Sequence, residues 1–189
     1  MHLRLPLTAL AGTALLAACG THAPARPEAP PAPPAVSTAQ MAEANLAPAS
    51  ASLVSGRVVL VPEAGGVHIT GVIGSLPRGR QAAFHVHEKG DCSAVDASSA
   101  GGHFNPAAQP HGRAGNNAHH AGDMDNLQVN AEGVVHVDVH LRGVTLGGSA
   151  ANDIAGRALV VHADADDYHS QPAGNAGARI ACGVIRVTR

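Results

Sequence analysis

Imidazoles at close spacing and one late arginine carry the chemistry open to this chain. Of its thirteen histidines, six (His85, His87, His103, His111, His119 and His120) fall between Phe84 and Asp123. An imidazole nitrogen is a strong ligand for borderline transition metals, and this density, closed by an aspartate, points to metal ligation rather than packing. His85 and His87 sit two apart in FHVH, so on a strand both project from one face with Cα atoms about 6.6 Å apart. His103 follows a Gly-Gly pair, His111 comes next, and His120-Ala-Gly-Asp123 ends the run. Neutral imidazoles with one carboxylate make a four-coordinate zinc set that needs no thiolate. Far along the chain, ALVVHADADD puts His162 at a strand end, placed to arrive as a further ligand from across a sheet. GNAGARIACGVI then sets Arg179 close before Cys182.

An H-x-H pair alone is weak evidence. His136, Asp138 and His140 alternate along VVHVDVHL and read as the solvent-facing side of a strand, with Val135, Val137, Val139 and Leu141 on its other face. The H-x-x-D spacing favours His120 over its neighbour His119 as a ligand and leaves His119 as an exposed loop residue. Tyr168 and His169 receive no role.

These side chains need a frame. SGRVVLV, GVHITGVI, QAAFHVH, LQVN, VVHVDVHL, RALVVHA and ARIACGVIRV are short alternating or apolar runs between glycines and turn residues, and each reads as a strand. No segment combines helical periodicity with good helix formers and caps. Aromatic residues make up 2% of the chain, so the core must be Val, Leu, Ile and Ala. The expectation is an all-β Greek-key sandwich or flattened barrel of about eight antiparallel strands, with two long functional loops. Scarce aromatics argue against single-stranded nucleic-acid binding, which uses stacking platforms. A formal charge of −2 with Lys89 as the one lysine argues against phosphate-backbone partners.

The N-terminal region reads differently. Residues 1–18 hold Arg4, an apolar run and Leu16-Ala17-Ala18 before Cys19, the pattern of an export signal. The cysteine directly after Leu-Ala-Ala resembles a bacterial lipoprotein cleavage box, which implies that Cys19 is lipidated. Residues 19–50, with PEAPPAPPA, read as a Pro/Ala-rich tether too poor in apolar side chains to fold. The folded domain is then expected at 51–189, on a periplasmic protein anchored through Cys19. By analogy with bacterial lipoproteins alone, Gly20 after that cysteine implies the outer membrane. Setting Cys19 aside leaves Cys92 and Cys182, an even pair in an exported chain. A bridge between them would close a long loop and stabilise by roughly 3–5 kcal/mol.

AFHVHEKGDC and GNAGARIACGVI together resemble the two signatures of the copper–zinc superoxide dismutases, in their exported bacterial form. The resemblance runs from about Ser52 to the C-terminus. It implies copper bound by His85, His87, His103 and His162, and zinc bound by His103, His111, His120 and Asp123, with His103 bridging the two. It implies that Asp166 accepts hydrogen bonds from one ligand of each metal, that Cys92 and Cys182 form the family disulfide, and that Arg179 and His103 are catalytic. The implied reaction converts superoxide to oxygen and hydrogen peroxide by copper redox cycling, with Arg179 holding the anion and His103 carrying a proton. An alternative on the same scaffold is a periplasmic copper-binding or carrier domain without turnover. Loss of His103, the zinc set or Arg179 would favour that alternative, and the chain keeps them all. A zinc hydrolase would need an open zinc position, which a four-ligand set does not leave.

The loop DYHSQPAGNAGAR has no Lys or Glu, and Ala173 stands at the implied channel mouth. Lys89 and Arg113 are therefore the candidates to attract the anion. The implied partners are superoxide and, through Cys19, a membrane. A homodimer stays open with no interface assigned, and Arg186 fits poorly in an apolar contact on the last strand.

Overall fold

The computed structural model describes residues 35–116 and 118–189. The described chain is built on β1 (Ala42–Pro48), β2 (Ser55–Glu63), β3 (Gly66–Gly74), β4 (Gln81–Ala82), β5 (Phe84–His87), β6 (Leu127–Gln128), β7 (Val135–Arg142), β8 (Ala158–His162), β9 (Arg179–Val184) and β10 (Arg186–Val187). Its helical content is one 3-10 turn at Ser98–Ala100. The signal and lipidation expectations, residues 1–18 and Cys19, lie outside the described residues.

Neighbouring strands run in the order β5-β8-β9-β1-β2-β3-β7, with β10 also on β1 and a small β4–β6 sheet beside them. Every strand pairing is antiparallel. The chain leaves β3 at one side of the curled sheet for β5 at the other, returns to β7, and crosses again to β8. Those crossings make the all-β Greek-key arrangement that the strand pattern predicts. QAAFHVH divides at Ala83, so β4 pairs with β6 while β5 pairs with β8. ARIACGVIRV divides at Ile185, handing the chain from β9 to β10.

Alternation decides which face each strand buries. Along β7, Val135, Val137 and Leu141 are buried while His136, Asp138 and His140 are exposed. The main core gathers Leu46, Leu60, Ile69, Phe84, Leu159 and Ile185 among others. A smaller cluster of Ala49, Ala97, Ala100, Ala158, Val160 and Cys182 lies on the other face of β8.

The fold starts before residue 51, within the stretch that composition assigns to a tether. Ala42, Ala44 and Leu46 are buried alternately along β1, which pairs with β2 from Ala42↔Leu60 to Leu46↔Gly56 and with β9 at Ala47↔Cys182. Upstream, the amides of Thr38 and Ala39 donate to Leu146 O, and those of Gln40 and Met41 donate to Arg189 O. Alanine has low strand propensity, so composition points to a linker. The cross-strand ladders to β2, β9 and β10 make the strand instead.

Candidate metal centre

Two-residue periodicity puts the first ligand pair outside the core. Along β5, Phe84 and Val86 join the main core, which sends His85 and His87 to the opposite face. Along β8, Leu159 and Val161 face the core and His162 ends the strand. A register shift between Val161 and His162 leaves His162 opposite Arg179 on β9. Such a shift re-aims a side chain at the end of a ladder. His103 is brought in by a bridge to His87, with the Phe104 amide donating to Val86 O. The long loops on either side of these strands cover this outer face, and His85, His87, His103, His111, His120, Asp123, His162 and Asp166 are all buried.

The side chains form two groups that share His103. In the first, His85, His87, His103 and His162 present ligand atoms all within 4.8 Å of one another. In the second, His103, His111, His120 and Asp123 do the same. His87 Nε2 and His162 Nε2 are 3.3 Å apart. Asp123 Oδ1 is 2.8 Å from His103 Nδ1 and 3.2 Å from His120 Nδ1. Asp123 Oδ2 is 3.1 Å from His111 Nδ1, and the Nδ1 atoms of His103 and His120 are 3.4 Å apart. A tetrahedral zinc ion bound at 2.0–2.1 Å sets its ligands about 3.3 Å apart, so the second group is already spaced for one.

Hydrogen-bond partners fix which nitrogen of each ring carries its lone pair inward. A backbone carbonyl only accepts, so His87 Nδ1, 3.0 Å from Gly101 O, and His162 Nδ1, 3.4 Å from Gly177 O, are the protonated nitrogens. Their Nε2 atoms are left as donors to a metal. Asp166 accepts from His85 Nε2 at 3.0 Å and from His111 Nε2 at 2.9 Å, which leaves Nδ1 of each ring free. His85 Nδ1, His111 Nδ1 and His103 Nε2 are buried without any hydrogen-bond partner. The 3.1 Å approach of His111 Nδ1 to Asp123 lacks hydrogen-bond geometry and is the contact expected of two ligands on one ion. Buried nitrogens cost free energy when unpaired, and these three point into the two groups. The donor sets therefore fit metal ions.

Electrostatics keep the set ready to ligate. Burial lowers the imidazole of His87 to about 2, that of His103 to about 4 and that of His162 to about 3. These rings are neutral at pH 7, so protons compete weakly with a metal. Burial works against the charge on Asp123, yet hydrogen bonds with His103 and His120 outweigh it and hold the carboxyl well below its usual range. Asp166 behaves alike: burial raises it, and hydrogen bonds from His85, His111 and the Tyr168 amide bring it down.

A cavity of about 490 Å³ opens over the first group. His87, His103, His162, Ala173 and Arg179 are among the residues on its wall. Arg179 is half-buried, and its guanidinium donates to Ala97 O and Gly101 O at 2.7 Å each. Those carbonyls belong to the loop that the Cys92–Cys182 disulfide ties to β9. Neither Lys89 nor Arg113 lines this cavity, and Arg113 is paired with Asp125 at 2.8 Å. The wall thus offers an anion one fixed cation.

Several supporting groups leave no trace in the sequence motifs. Gly101 O accepts from both His87 and Arg179, so one carbonyl orients a ligand and the cation. Asn126 brackets Asp166, donating to its carbonyl and accepting from its amide at 2.9 and 2.8 Å. Gln171 brackets His111 in the same way, at 2.9 Å both times. Tyr168 has a role after all, because its hydroxyl accepts from the Asn126 amide and its own amide donates to Asp166. Gly174 sits at φ +67°, and a Cβ there would lie 1.8 Å from Asp166 Oδ1. His119 Nδ1 turns to His120 O and joins neither group, while the amide of exposed His169 donates to Asp167.

A Greek-key β-fold holding two linked histidine groups, buried under two loops and opening on one arginine, defines a binuclear metalloprotein of the β-sandwich class. Residues 54–185 match the model of the copper/zinc superoxide dismutase family, and the chain belongs to that family. A protein of Aquifex aeolicus (strain VF5) named superoxide dismutase (Cu-Zn) 2 is 45% identical over 136 residues, covering 70% of this chain and 80% of that one. A crystal structure of a double mutant of a SOD-like protein from Bacillus subtilis is 38% identical with a TM-score of 0.70, covering 76% of this chain and 96% of that one. The crystal structure of the clock protein EA4 is 36% identical with a TM-score of 0.71, covering 83% of this chain and all of that one. Copper and zinc are the metals of the family.

Proposed function

We propose that this protein is a superoxide dismutase that converts two superoxide anions and two protons to oxygen and hydrogen peroxide. His85, His87, His103 and His162 would hold copper, and His103, His111, His120 and Asp123 would hold zinc. The observation that carries the reading is His103, which presents Nδ1 to one group and an unpartnered Nε2 to the other. Copper, when bound, supplies the one-electron redox step, and zinc a fixed positive charge. Arg179 binds the anion from the cavity wall by charge-assisted hydrogen bonding, in an orientation set by Ala97 O and Gly101 O. Nε2 of His103 is the atom that takes up a proton and delivers it to the departing peroxide. Asp166 fixes the tautomers of His85 and His111, so one carboxylate orients a ligand of each metal.

Metal analysis with a superoxide-consumption assay tests this. One copper and one zinc per chain with turnover is the expected result, and His162→Ala should lose activity by more than about 100-fold, beyond the usual cost of an outer partner. Full metal loading without turnover would instead establish the copper-carrier reading on the same scaffold.

The proposal includes a site of action. The sequence Leu16-Ala17-Ala18-Cys19 supports export and lipid anchoring in the periplasm, and the Cys92–Cys182 disulfide suits an oxidising compartment. Labelling cells with a tagged fatty acid should mark the wild-type chain and not Cys19→Ser. Equal labelling of both removes the anchor.

A further inference from the structure

The outer face of β3 and β7 carries a histidine–carboxylate cluster that the binuclear centre does not use. His68 and His140 are direct cross-strand partners, and their rings stack with centroids 4.2 Å apart and planes 5° apart. Asp138, on the same face two positions before His140, lies 2.6 Å from His68 Nε2. One ligand atom from each of His68, Asp138 and His140 lies within 4.8 Å of the other two. His136, the other histidine on that face of β7, is not part of the group.

A fourth residue settles the tautomer of His140. Its Nδ1 is 3.0 and 2.9 Å from the two carboxylate oxygens of Glu63 on β2. A carboxylate only accepts, so Nδ1 carries a proton, and in the neutral ring Nε2 is the nitrogen that offers a lone pair. An outer carboxylate on the far nitrogen is the arrangement that orients metal-binding imidazoles and raises their basicity. Two imidazoles and a carboxylate also form a recognised three-ligand donor set for a divalent transition metal, with the remaining positions left to water.

We propose that His68, Asp138 and His140 form a solvent-open, exchangeable site for a divalent transition-metal ion, with Cu(II) bound more tightly than Zn(II). The order follows from the general affinity series for such donors. The ion takes the place of the proton between His68 Nε2 and Asp138, and the exposed His68 and His140 rings tilt out of their parallel stack so that both nitrogen lone pairs converge on it. Exposure makes the site labile: the side chains of Asp138 and His140 are 74% and 50% accessible, against 0% for His85 and Asp123. Asp138 and His140 also line a cleft of about 580 Å³ whose wall includes His119 and Asp123. An ion held there stands at the back of the loop that supplies the zinc ligands, so the site is placed to collect metal beside the buried centre.

The test uses the full-length protein with its binuclear centre filled. Equilibrium dialysis against added Cu(II), with difference EPR of the added ion, should show one further equivalent with nitrogen hyperfine structure. The double variant His68→Ala/His140→Ala should weaken that equivalent at least tenfold while leaving dismutation and the unfolding midpoint unchanged. The near-isosteric Asp138→Asn should weaken it as well, and His136→Ala should not. The proposal is overturned if no further equivalent binds, if the folded double variant binds it as tightly, or if His136→Ala removes it instead.

Discussion

Arg179 is the one cationic side chain on the wall of the cavity over the first histidine group. Its two donations at 2.7 Å go to carbonyls of the loop held by the disulfide, and the strand register sets it opposite His162. Lysine would keep the charge but lacks the rigid fork that spans Ala97 O and Gly101 O. Arg179→Lys should therefore keep full metal content yet lower kcat/KM by about tenfold, the cost of one charge-assisted hydrogen bond at the low end of its range. Unchanged kcat/KM in a superoxide-consumption assay would remove Arg179 from anion binding. The types and spacing of the histidines were legible in the sequence because HVH on a strand and H-x-x-D in a loop are local patterns. The groups that hold them still were not. Gly101 O is a backbone carbonyl, and Asn126 and Gln171 act through main-chain brackets on Asp166 and His111, contacts for which no side-chain type is diagnostic. Tyr168 went unassigned for the same reason: its partner is the Asn126 amide, distant in sequence.

Strands with strong alternation were equally legible, and β7 is the clearest case, with Val135, Val137 and Leu141 buried and His136, Asp138 and His140 exposed. The missed strand was β1, whose sequence AEANLAP offers two alanines and one leucine to the core. Its evidence is non-local, since it lies between β2 and β9 and also takes β10. A chain beginning at Ala51 should accordingly lose cooperative unfolding, whereas one beginning at Ala35 should keep the melting temperature of the intact protein. Loss of Leu46 alone would cost about 2–5 kcal/mol. Removing the whole strand also exposes ladder groups on both of its neighbours, enough to exhaust a typical domain stability of about 5–15 kcal/mol. Circular dichroism melts of the two truncations decide the matter, and a cooperative native-like melt from Ala51 onward would show that β1 is dispensable.

For the molecule as a whole, the buried imidazoles make the stability of the metal-free protein depend on pH. In the unfolded chain a histidine titrates near 6.5, whereas burial lowers His87, His103 and His162 to about 2, 4 and 3 in the fold. Above pH 6.5 both states hold these rings neutral, and they contribute no slope. Below it the unfolded chain binds protons that the native state refuses, so stability falls as pH drops, by up to about 1.4 kcal/mol per unit for each ring. His103 stops contributing near pH 4, and the other two persist lower. Asp123 and Asp166, held below the usual carboxyl range, add stability that is present above about pH 3.9 and lost beneath it. Loss of stability on acidification thus begins with the histidines, well above the range in which carboxylates titrate. Urea midpoints of chelator-treated protein should be level between pH 8 and 7 and fall steeply from 6.5 to 4. Replacing one of the three rings, as in His162→Gln, should make that fall shallower. A midpoint that stays level down to pH 4.5 would mean that these rings accept protons within the fold.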